Sequence, residues 1–458
     1  MSAVSNNKSL LIKWGITIII PILIYSIPLT ETYTAPMRSF FVITLLCILI
    51  MAFELMNTMA ISVLMPMLYL IFIAPAETVF SAWISTTAWT CVGAMLLANI
   101  LASSGLLNRI SYWVISKCGS FTATVFGVLI VGVIISFLTG VMGSLLVYTF
   151  AYGIARGLNI VRTKESAVLM FAAIFSTTTV EMFIYKPVFM SLINGQIALY
   201  LPGEAIEYLE LLIANWPFFL MIVLIIWLYL KIYKIKSEGN VKAEFKQKLQ
   251  ELGPMTLYEK KAAALGLIVV SYMISSSFTG LPMDYGLMFI PWLSYLPIVN
   301  LGTTKDIREI NWEPILFVAA CMGIGGVGAY AGVTTLVSNF FMDTIAPLGG
   351  FVAMGAIYIF GVLLNFLMTP MAMLASFLGP VIEIGQEMGM NPEGLIYIFY
   401  SACDQIILPY EYANYLLGFS FGLMTMKQFI SMSLIKLVVG TIFIFTVMLA
   451  WWNLIGVL

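Results

Sequence analysis

The chain has no histidine, only five cysteines in 458 residues, and 9% charged residues. Without histidine, the commonest metal ligand and the usual proton shuttle near neutral pH are missing. Any proton chemistry therefore falls to carboxylates, lysine or tyrosine. Cys47, Cys91, Cys118, Cys321 and Cys403 are odd in number, lie in or beside apolar sequence and show no CxxC spacing. They read as small buried apolar residues, and no metal or cofactor is expected from them. The chain also lacks HExxH and GxGD motifs. An intramembrane enzyme would have no metal constellation and no nucleophile with its base, so no enzymatic activity is expected. A formal net charge of -1 gives no basis for nucleic-acid binding.

What the chain does have is apolar sequence. It is 61% hydrophobic with a mean hydropathy of +1.03, more than a soluble core buries, and many runs reach the roughly 20 residues that cross a bilayer. The expected class is an all-α polytopic membrane protein with the lipid bilayer as its partner. The N-terminus, MSAVSNNKSLLIKWG, runs into its first apolar segment with no small-residue cleavage site after it, which predicts a first membrane helix. Between Lys231 and Lys261, lysines outnumber the interleaved glutamates. The positive-inside rule places this connector in the cytoplasm, and Lys8 and Lys13 place the N-terminus there too, in a multi-pass protein of the cell membrane. The connector divides the chain into residues 1–230, 231–261 and 262–458. Within it, EFKQKLQEL reads either as a surface-lying amphipathic helix or as a solvated connecting one.

Two apolar stretches hold ionisable residues: Glu181 and Lys186 in FSTTTVEMFIYKPV, and Asp404 and Glu411 in SACDQIILPYEYAN. Charges in hydrocarbon are expensive and persist where they pair or face a polar cavity. Ser176, Thr177, Thr178, Thr179 and Pro187 interrupt the first stretch, and Pro409 and Asn414 the second, so broken helices are expected. The two stretches also correspond. LLANILASSGLLNRI around Gly105 resembles GIGGVGAYAGVTTLV around Gly332, and an offset of about 227 also pairs Thr139–Ser144 with Asn365–Thr369 and Thr177–Val188 with Cys403–Asn414. Two repeats with matched broken segments point to a secondary transporter whose site lies between the repeats. An anion-conducting channel and a non-transporting membrane scaffold protein are the alternatives.

Several segments carry a family resemblance: ISVLMPMLYLIF with Pro66, SSGLLNRISYWVISKCG, LGPMTLYEKK, INWEPILFVAACMGIGGVGAYAG, and the late hairpin ending at Ala413 and Asn414. In order and spacing they resemble the divalent anion:sodium symporter family of the ion transporter superfamily. The resemblance implies two inverted repeats with re-entrant hairpins, a scaffold domain and a transport domain, and a homodimer. It also implies elevator-type transport of a small anion such as a di- or tricarboxylate or sulfate, commonly with Na⁺.

The family's Ser-Asn-Thr hairpin tips fall here on Gly143, Ser144 and Leu145, and on Thr369, Pro370 and Met371. Its Thr-Pro-Pro-Asn turns fall on Tyr185, Lys186, Pro187 and Val188, and on Glu411, Tyr412, Ala413 and Asn414. Amide and hydroxyl ligands are lost, and a charge is gained in each repeat. A fixed lysine beside an unwound helix can stand in for a bound cation, and a carboxylate there can carry a proton. The expected substrate ligands are therefore Lys186, Ser144, Thr369, Asn414 and Thr178. Glu411, Asp404 and Glu181 are expected to couple or gate, with H⁺ or exchange in place of Na⁺. If Na⁺ binds, it does so near Gly143, Thr177 and Thr369. Glu181 also reads as a structural ion-pair partner of Lys186.

Overall fold

A computed structural model describes residues 2–53, 55–84, 86–139, 143–235, 242–282, 284–333, 336, 344, 347, 349–366 and 369–458. Among these residues all regular structure is helical. Four stretches are long and apolar enough to cross a membrane: Phe121–Thr139, Lys164–Tyr200, Leu257–Thr279 and Met426–Leu454. Two bent pairs, Ala88–Ser103 with Leu106–Ile115 and Tyr208–Asn215 with Pro217–Ile232, bring the number to six if each is one span. Exposed apolar side chains such as Leu267, Phe278, Ile442 and Leu454 give these helices surfaces suited to lipid rather than water.

Each expected break is present. The first broken helix runs from Lys164–Phe175 through a short 3₁₀ turn, Thr179–Met182, to Pro187–Tyr200. The second runs from Pro392–Cys403 through Pro409–Glu411 to Ala413–Ser420. Pro187 and Pro409 lack an N–H and restrict the residue before them, which suits the start of a new helical turn and not the middle of an old one. Helix pairs also meet at the two expected tips. Phe121–Thr139 is followed by Ser144–Gly157, and Gly350–Leu364 by Pro370–Glu387, whose N-cap is Thr369. Residues 140–142 and 367–368 of those tips lie outside the described residues, as do 236–241 of the charged connector.

The described chain forms two compact units. One comprises 1–89, 188–205 and 311–403, and the other 90–187, 206–310 and 404–458. In the first, the glycine-rich helix Trp312–Tyr330 allows close packing. A Cβ on Gly325 would fall 2.0 Å from the Gln196 amide, one on Gly328 3.1 Å from the Phe40 ring, and one on Gly323 3.1 Å from the Val79 carbonyl. Asn365, at the end of Gly350–Leu364, donates to the Ala402 carbonyl at 2.9 Å.

The second unit holds both breaks. Helix Phe121–Thr139 backs the first of them: Ser136 donates to the Ser176 carbonyl at 2.8 Å, and one turn earlier Gly132 leaves room for Ser176, whose Oγ a Cβ would meet at 1.8 Å. Lys242–Glu251 of the connector is helical, and its Phe245 is buried with ring centroids 5.7 Å from Tyr112 and 5.3 Å from Phe150. The connecting helix is thus docked on its own unit through an aromatic anchor. Arg109 ties the same region together, reaching Glu259 at 2.8 Å and the Gly253 carbonyl at 2.8 Å. Trp452 closes the far end by donating to the Ala214 carbonyl at 3.0 Å.

Candidate substrate and coupling site

Breaking a helix leaves carbonyls without intrahelical donors, and within the bilayer they need partners from the protein. The hydroxyls of the threonine run serve this need. Ser176 donates to the Ala173 carbonyl at 2.8 Å, Thr178 to Ile174 at 2.8 Å, and Thr177 lies 3.1 Å from the same Ile174 oxygen. Thr177 also meets the Tyr148 hydroxyl at 3.0 Å, and Ser144 faces that phenol from the start of its helix. Thr178 and Ser144 are therefore engaged in the helix end. Thr179 reaches the other break, donating to Asp404 Oδ1 at 3.3 Å.

The buried charges form pairs. Lys186 Nζ lies 2.5 Å from Glu181 Oε1 and 2.7 Å from the Tyr412 hydroxyl, and Tyr412 in turn donates to Glu181 Oε1 at 2.9 Å. The repeat alignment sets Lys186 opposite Tyr412, so residues matched between the halves touch. Asn414 extends this group with a 3.4 Å contact from Nδ2 to the Tyr412 hydroxyl.

A second pair escaped the sequence reading. Lys436, in the helix Met426–Phe443, is 1% exposed and sits 2.7 Å from Asp404 Oδ2. Its Nζ donates to the Asp404 backbone carbonyl and, at 2.9 Å, to the Tyr415 hydroxyl. The contact with Oδ2 is an ion pair, so three oxygens surround the ammonium. The signal was available: a lysine inside MSLIKLVVG is as costly in hydrocarbon as Lys186. The sequence pattern does not single it out, because it lies on an unbroken helix. The Tyr412 and Tyr415 rings, 6.1 Å apart between centroids, join the two pairs into one group.

Glu411 has a different task. Its carboxylate accepts from the backbone N–H of Ile407 at 2.8 Å and of Leu408 at 3.0 Å, which closes the second break on itself. Three carboxylates, Glu181, Asp404 and Glu411, thus share this region of the unit with two ammonium groups, all five buried. Fully ionised, the group carries one negative charge. Thr369 belongs to the other compact unit, where its hydroxyl accepts from the Ala372 N–H at 3.4 Å. Among the described residues no set of three acidic or cysteine side chains could hold a metal ion.

The sodium:sulfate symporter transmembrane region matches residues 8–458. The chain belongs to that family. No curated protein matches it. Among solved structures, it is similar to the YdaH transporter of Alcanivorax borkumensis, described as having an unusual topology, with a TM-score of 0.58 and 15% identity over 92% of this chain and 99% of that one. At that identity the likeness speaks to fold alone. The sodium:sulfate symporter family is a family of transporters, not of enzymes, and this member is a multi-pass membrane protein with the fold of a secondary transporter for anions.

Proposed function

We propose that the protein is an elevator-type carrier for a small multivalent anion, such as a di- or tricarboxylate or sulfate, working as a homodimer in the cell membrane with its N-terminus in the cytoplasm. Anion binding is coupled to protons or to exchange, and not to Na⁺. One observation carries the reading: the buried charges at the two breaks sum to one negative charge, although the cargo is itself an anion. An anion that takes Lys186 must displace Glu181. If Glu181 stayed ionised, two negative groups would compete for one ammonium in a low-dielectric site. A proton on Glu181 removes that conflict, so anion and proton enter together. At the second break Asp404 stays paired with Lys436, and Glu411 holds the unwound backbone. Asn414, Ser144 and Thr178 supply hydrogen bonds to the cargo.

The experiment is anion uptake into proteoliposomes under imposed gradients. Saturable uptake driven by an acidic outside, or by counter-anion inside, supports the carrier. Unsaturating conductance would make the protein a channel, and no flux for any of these anions would leave it a membrane scaffold.

A further inference from the structure

Soluble coupling cations are held in transporters by unwound backbone carbonyls together with carboxylate and hydroxyl oxygens. Around Lys436 the second break offers that donor set. The nitrogen has a carboxylate oxygen of Asp404, a backbone carbonyl of Asp404 and a phenol oxygen of Tyr415 against it, in a fully buried position. Phe175 and Tyr415 present ring faces to the same ammonium, each with its centroid 5.4 Å away. Lysine's ammonium is a compact point charge on a long stem, so it can occupy a monovalent-cation position while tethered to a helix. Lys186, at the first break, has a carboxylate and a phenol against it.

We infer that the Lys436 ammonium is a built-in surrogate for a monovalent coupling cation, filling the second break's cation position permanently. The inference rests on the carrier reading and sharpens it, because a tethered cation cannot cross with the cargo or be supplied by a Na⁺ gradient. Its removal should leave a vacant site of known donors. In Lys436→Ala, Asp404, its carbonyl and Tyr415 remain, and a free cation of matching charge can enter.

The test is thermal unfolding of the purified full-length protein in NaCl, methylammonium chloride and choline chloride at equal ionic strength. The parent should melt at the same temperature in all three. Lys436→Ala should melt lower in choline and recover most of that loss in Na⁺ or methylammonium, since a ligand of the folded state stabilises it by mass action. Lys436→Met, which fills the space without charge, should recover in neither. Stabilisation of the parent by Na⁺ over choline would overturn the inference, as would a folded Lys436→Ala indifferent to all three cations. Should Lys436→Ala not be recovered folded even with methylammonium throughout purification, rescue has failed and the inference falls with it. Cation rescue in a protein that moves no anion would sink the carrier and keep the surrogate. Proton-driven uptake with no rescue would do the reverse.

Discussion

Glu181 and Lys186 allow function and support to be separated. At 2.5 Å and an effective dielectric of about 20, their gross attraction is about 7 kcal/mol, offset by several kcal/mol of desolvation for each ion. The net worth of the pair is therefore small, while the cost of stranding one member is large. Glu181→Leu and Lys186→Met should each destabilise by about 3–5 kcal/mol, because each leaves one buried charge without its partner. The double variant, combined with Tyr412→Phe so that no phenol is left without its bonds, should return to within about 2 kcal/mol of the parent, with a coupling energy above about 2 kcal/mol. Denaturant or thermal unfolding in nanodiscs measures the stability, and liposome uptake measures the function. Transport should vanish in the restored variant as it does in the singles. If the restored variant transports at the parental rate with the parental pH response, the pair is only a brace and the site reasoning fails. Single variants costing less than about 1 kcal/mol would refute the energetic argument itself.

Other outcomes follow from single contacts. Glu411→Gln keeps one acceptor for two backbone donors at the second break and should cost about 1–3 kcal/mol, visible as faster hydrogen exchange at Ile407 and Leu408. Gly132→Ala drives a methyl into Ser176 and should destabilise by about 1–3 kcal/mol, whereas Gly153→Ala, with open space around its Cβ, should be within about 0.5 kcal/mol or slightly stabilising. Arg109→Ala removes the partner of buried Glu259 and three carbonyl contacts, so the connector should become sensitive to limited proteolysis near Gly253 while the breaks keep their protection.

The class, the helix breaks and four of the five buried charges at the breaks are legible in the sequence, because an ionisable residue in an apolar run stands out and prolines mark where a helix must restart. An offset of about 227 located the matching break, and the motif alignment set Lys186 level with Tyr412, 226 positions on, with which it is in contact. Lys436 was missed for a physical reason. Its helix is continuous, and only three-dimensional packing brings its ammonium to the break of a segment 32 residues earlier. Nor could sequence separate roles within the threonine run, where hydroxyls of Ser176, Thr177 and Thr178 turn back on helix-end carbonyls while Thr179 crosses to Asp404. The same limit applied to Glu411, whose carboxylate closes its own turn, and to Phe245, whose burial fixes a helix that charge pattern alone left between two readings.

The central claim is that internal ammonium–carboxylate pairs and protons do here what Na⁺ commonly does in the family. The most direct measurement is initial uptake of labelled sulfate, succinate and citrate into proteoliposomes, with Na⁺ and pH gradients imposed separately. The account predicts that an inward proton gradient or internal counter-anion accelerates uptake of at least one of these anions in choline medium, and that adding Na⁺ leaves the rate unchanged. Uptake that follows the Na⁺ gradient and ignores pH would contradict it.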